Sequence, residues 1–277
     1  MPIDFIKGLL RHRQDRSRLL GRFPTQLNKH DNLASRFLSG DRTLIVYQPP
    51  GYHQNAEQRY PVLYLQDGQN LFDPTTAYVA GMDWRVDQTA EKLILEGKIE
   101  PLIIVGIYNN GEQRLAEYTP TRDGKLGGGQ AELYGKMLVE DVKPFIDGVY
   151  RTLSDPENTG LGGSSLGGLV TLYLGLLYPQ TFGKLAVLSP SVWWNHRSIL
   201  NFLAHTITGP RPRIWLDIGT RESRAAVPDT ILLRNALLKN GWVLGKDLHF
   251  TKAPGARHEE SAWAKRVGPA LKFLFPR

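Results

Sequence analysis

Short, almost wholly apolar runs recur along the chain, separated by stretches in which apolar residues return every three or four positions. The runs at 44–47, 62–65, 102–107, 160–163, 184–188, 214–217 and 248–251 are flanked by Gly, Pro, Asn or Asp and read as strands buried on both faces. The periodic stretches at 84–95, 131–146, 166–178, 229–240 and 260–275 read as helices with one apolar stripe. Strand and helix patterns alternate to the last residues. That alternation predicts an α/β fold, a mostly parallel central sheet of about eight strands with helices on both faces, with one further antiparallel edge strand near 33–37. It requires no second domain: the reading is a basic extension over 1–30 and one catalytic domain over 31–277.

Composition narrows the picture. At 277 residues and 41% hydrophobic, the chain can bury a sizeable core. It has no apolar run of roughly 18 residues, and its start, MPIDFIKGLLRHRQDRSRLLGR, has neither a long apolar stretch nor a small-residue cleavage site. Zero cysteines remove disulfides, thiolate metal sites and cysteine nucleophiles together. A soluble cytoplasmic protein is expected. The net charge of +7 is concentrated in residues 1–22, where six basic residues stand against two acidic, a net +4 that leaves +3 for the remainder. No recognition-helix pattern or aromatic-studded basic sheet accompanies it, so nucleic acid is not the expected partner. Phe5, Ile6, Leu9 and Leu10 fall at helical spacing, which suits either a short helix docked on the body or on a second subunit of a homo-oligomer, or a solvated tail.

Open α/β sheets carry their sites at the carboxyl ends of strands. Four polar stretches fall there: LQDGQNLFD (65–73), TGLGGSSLGGL (159–169), GTRE (219–222) and GARHEE (255–260). The glycine-rich stretch fits no phosphate loop: it has serine where a dinucleotide fingerprint needs its third glycine, and it contains no lysine. The register Gly163-Ser164-Ser165-Leu166-Gly167 instead fits G-x-S-x-G, a nucleophile held at a sharp strand-to-helix turn whose flanking glycines avoid collision across the turn. Ser165 takes the tip and Leu166 opens the helix.

A serine hydroxyl needs an imidazole to accept its proton and a carboxylate to orient that imidazole, in the chain order serine, acid, histidine. His12, His30 and His53 precede the serine, His196 and His205 precede the acid-bearing loop, and His249 falls within or at the edge of a strand. His258, between the last strand and the last helix, is the candidate base. Glu222 in GTRE is the preferred acid, with Asp217 and Asp229 as alternatives, the latter also a candidate helix cap. A tetrahedral oxyanion needs two N–H donors. Leu166 offers one, and QDGQN offers Gly68 or Gln69, of which Gln69 is preferred. No cofactor and no metal is expected: His258-Glu259-Glu260 lacks the second histidine of H-E-x-x-H, and no other cluster has ligand spacing.

PVLYLQDGQNLFD, RLAEYTP, GGSSLGGL, SPSVWW, DIGTRE and HEESAWAKRVGPALKFL, in that order from about residue 35 onward, resemble a family of esterases that includes enterochelin, feruloyl and acetyl-xylan esterases, S-formylglutathione hydrolases and mycolyltransferases. The resemblance implies an α/β-hydrolase fold, Ser165 as nucleophile, His258 as base and an acid in the GTRE loop. It further implies Trp193 and Trp194 beside the acyl group and Arg114, Glu117 and Tyr118 along the border of the site. The implied activity is hydrolysis of a short-chain or aromatic carboxylic ester through an acyl-enzyme. Acyl transfer with the same residues is the alternative, and a non-catalytic glycan-binding descendant is a more remote one.

Overall fold

A computed structural model describes residues 26–206 and 209–277 of the chain. The proposed helix within the basic extension lies outside them. The strands are β1 (Gln26–Leu33), β2 (Arg42–Gln48), β3 (Val62–Gln66), β4 (Ile103–Ile107), β5 (Thr159–Ser164), β6 (Lys184–Leu188), β7 (Arg213–Gly219) and β8 (Leu248–Ala253). They form one eight-stranded sheet in the order β1-β2-β4-β3-β5-β6-β7-β8. β1 and β2 pair antiparallel, as do β2 and β4, and every other neighbouring pair is parallel. β3 and β5 stand side by side at the point where the chain order turns outward in both directions. In an open α/β sheet, the loops after such a pair of strands, at the carboxyl edge, are where a site is expected.

The continuous apolar character of the inner strands follows from burial on two faces. Val62 and Tyr64 of β3 point into one core cluster and Leu63 and Leu65 into the other. The first cluster is covered by the helical stretch Ala131–Met137, Leu138–Val142 and Lys143–Val149, and by Leu166–Leu177, Trp194–Thr206 and Ala226–Lys239. We call the last three α2, α3 and α4. The second cluster is covered by α1 (Val86–Leu95) and α5 (Glu260–Leu274). Among the described residues no helix is long and apolar enough to cross a membrane.

Several expectations are corrected. The antiparallel edge strand is Gln26–Leu33, not 33–37, so the sheet extends across residue 30, where the extension was expected to end. The strand was hard to see because its sequence, QLNKHDNL, is largely exposed at the sheet edge and carries no apolar alternation. α4 begins at Ala226 with Pro228 in its first turn, where a missing N–H does no harm, so Asp229 is inside the helix and is not its cap. The helix α3 has no counterpart in the sequence reading. Its opening residues Asn195, His196 and Arg197 all have positive φ, a left-handed turn that no periodicity signals.

Candidate active site

The candidate site is built around the turn from β5 to α2. Ser165 sits at its tip with φ 59° and ψ −122°, a conformation that non-glycine residues seldom adopt and that costs on the order of 1–3 kcal/mol. Its neighbours pin it there: Ser165 N–H donates to Leu188 O at 3.1 Å, and Ser165 O accepts from Ser191 N–H at 3.0 Å. A Cβ on Gly163 would lie 2.9 Å from the carbonyl carbon of Gly167, so the paired glycines of the motif allow the turn to close. Leu166 is the first residue of α2, where an N–H has no acceptor within its own helix.

Ser165 Oγ lies 2.9 Å from His258 Nε2, and His258 Nδ1 lies 2.7 Å from Glu222 Oε2. The three side chains come from the loops after β5, β7 and β8 and form one hydrogen-bonded line. A carboxylate can only accept, so Nδ1 carries the proton and Nε2 presents its lone pair to the serine hydroxyl. The line runs from inside to outside: the Glu222 side chain is 1% exposed and that of His258 42%. Burial pushes the Glu222 carboxyl up, but hydrogen bonds from His258, from Ser189 Oγ–H and from Gly219 N–H more than offset this and hold it below its ordinary value. Trp263 meets the His258 ring edge to face, with centroids 4.9 Å apart.

The two alternative acids are occupied elsewhere. Asp217, fully buried, accepts from Arg266 Nη1 at 2.6 Å and Trp215 Nε1 at 2.8 Å, and burial, partly countered by Arg266, pushes its carboxyl up to about 6. Asp229, also buried, accepts from Arg197 Nε at 2.7 Å.

Gln69 lies in the 3-10 turn Gly68–Asn70, entered through Asp67 in a left-handed conformation at φ 57°. Gly68 is packed so closely on β4 that a Cβ would come within 2.6 Å of Gly106 C. Arg114 and Tyr118 hold this loop. Asp67 accepts from Arg114 Nε at 2.7 Å, Arg114 Nη2 at 2.8 Å and Asn109 Nδ2 at 2.7 Å, while Asp67 N–H donates to Tyr118 Oη. Tyr118 is fully buried, so it cannot touch a substrate in this arrangement; its contact is with the backbone of the QDGQN loop. Glu117 is likewise buried and pairs with Arg42 at 2.5 Å. The tryptophan pair divides in the same way: Trp193 is 50% exposed, but Trp194 is 1% exposed and its Nε1–H donates to Thr121 O at 2.9 Å.

Four residues around the line escaped the sequence reading. Ser191 Oγ lies 3.3 Å from Ser165 Oγ, and Ser189, Trp263 and Arg266 surround the acid and base. The repeated serine of SPS, directly after β6, was the available signal for the first two.

Residues 35–274 match the Esterase family, described as "Putative esterase". The uncharacterized protein YbbA of Bacillus subtilis is 26% identical over 87% of this chain and 95% of its own length. An endo-1,4-beta-xylanase/feruloyl esterase of Xylanibacter ruminicola is 33% identical over 84% of this chain, which corresponds to 29% of that larger protein. Among solved structures, an IroE-like serine hydrolase from Shewanella oneidensis superposes with a TM-score of 0.72 at 22% identity, over 90% of this chain and 80% of its own.

Proposed function

The chain belongs to the esterase family, and from that premise we propose that it is a serine ester hydrolase acting through an acyl-enzyme on Ser165. The observation that carries this reading is the unbroken line Ser165 Oγ, His258 Nε2, His258 Nδ1, Glu222 Oε2, with both links under 3 Å. Ser165 Oγ attacks the ester carbonyl as its proton passes to His258 Nε2, and Glu222 remains ionised and steadies the imidazolium. The oxyanion is met by Leu166 N–H at the positive end of α2 and by Gln69 N–H at the start of its turn. His258 then hands the proton to the departing alcohol, and water repeats the sequence to release the acid.

The proposed substrates are short-chain or aromatic esters. The half-exposed Trp193 offers a flat apolar face. The supporting analogy is with relatives whose names specify a feruloyl esterase and a siderophore enterobactin esterase. A panel of p-nitrophenyl acetate, a feruloyl ester, an acetylated sugar and a catecholate lactone, assayed with wild type and Ser165→Ala, tests the reading. Turnover of at least one ester, abolished in the variant, is expected; turnover that survives in Ser165→Ala contradicts it.

A further inference from the structure

We infer that Ser189 and Arg266 are positioning residues that fix Glu222 so that only its Oε2 is left for His258; this rests on reading Ser165, His258 and Glu222 as one catalytic unit. Counting protons leads to it. Ser189 Oγ lies 2.9 Å from Arg266 Nη2 and 3.1 Å from Trp263 Nε1. Guanidinium and indole N–H groups can only donate, so both lone pairs of the hydroxyl are engaged. Its single proton is left for one neighbour, Glu222 Oε1 at 2.6 Å. Oε1 also receives Gly219 N–H at 2.8 Å, and an oxygen facing two donors has no room for a proton of its own. Glu222 Oε1 is thereby held without a proton, and Oε2 alone is turned to His258 Nδ1.

The far end of this relay is anchored as firmly. Arg266, 6% exposed, places Nη1 on Asp217 and lies 3.8 Å from Glu222 Oε1 through Nη2, so one buried cation stands between two buried carboxylates. Without it, two buried anions would stand close together, an arrangement that drives one of them to take up a proton. Ser189 N–H donates to Asp217 O at 3.0 Å, and Ser189 itself has φ 42°, an uncommon conformation for a residue with a side chain. The strained residue is the one whose hydroxyl joins the two carboxylate systems.

The test uses the full chain with Ser189→Ala, Arg266→Met and Arg266→Lys. Two kinds of measurement are made: steady-state kinetics (kcat and KM) on the best ester, and the low-field proton NMR signal of the His258 Nδ1–H to Glu222 bond, which needs no substrate. Ser189→Ala and Arg266→Met should each lose about a hundredfold in kcat with KM within about twofold, as misplaced catalytic groups do, and should lose the low-field signal. Arg266→Lys, which keeps the charge, should recover part of both. Wild-type kcat with an intact low-field signal in Ser189→Ala overturns the relay, and that variant decides alone if Arg266→Met does not fold. A wild-type protein that shows the signal, loses it in Ser189→Ala and yet hydrolyses no ester supports the relay and overturns the esterase reading.

Discussion

Glu222 is the residue on which the chemistry of this site turns, because its environment separates it from the two other acids nearby. It is the acid bonded to His258, while Asp217 and Asp229 are bound to arginines. Glu222→Gln should therefore lower turnover by about ten-thousand-fold, as loss of the orienting acid does elsewhere, with Asp217→Asn and Asp229→Asn affected far less. Steady-state kinetics on one ester decides it, and equal losses in all three variants would count against the assignment. The G-x-S-x-G register pointed to Ser165 and chain order to His258, whereas for the acid the sequence only preferred Glu222 and left Asp217 and Asp229 open. Beyond the repeated serine of SPS, nothing local in the sequence marks Ser189 or Arg266 as partners of Glu222. They meet Glu222 from a different loop and from the interior of α5, and an arginine partnered across the fold leaves no local pattern.

The elements explain where sequence patterning succeeds and where it fails. The parallel strands and α1, α2 and α5 are recognisable because two-faced or one-sided burial imposes a fixed period on them. β1 and α3 were misplaced or missed because solvent exposure or a left-handed turn dictates their residues instead. The start of α3 separates two tryptophans that look equivalent in sequence. Trp194→Ala should cost about 3–5 kcal/mol of stability, because a fully buried indole and its bond to Thr121 O are lost. Trp193→Ala should leave the melting temperature nearly unchanged and raise KM for aryl esters more than for acetates. Thermal denaturation alongside two-substrate kinetics checks both, and the reverse pattern would place Trp194 in the pocket.

At the scale of the whole molecule, the sheet gathers residues from positions 165, 222 and 258 at one edge, and its stability carries the mark of a charge buried there. Burial pushes the Asp217 carboxyl up to about 6 from an ordinary 3.8, so the folded state binds its proton more tightly than the unfolded state. By linkage, this group's contribution to stability falls as pH rises from about 4 to about 6. Relative to Asp217→Asn, the wild type should lose unfolding free energy over that window, which denaturant titrations of both proteins at several pH values would reveal; a constant difference would contradict it. The central claim, covalent chemistry at Ser165, is tested most directly by reacting the intact protein with a fluorophosphonate and measuring its mass. The account predicts a single adduct that maps to Ser165, still forms in Ser164→Ala, and is nearly lost in His258→Ala. An adduct on Ser164 with Ser165 unmodified, or labelling undiminished without His258, would contradict it.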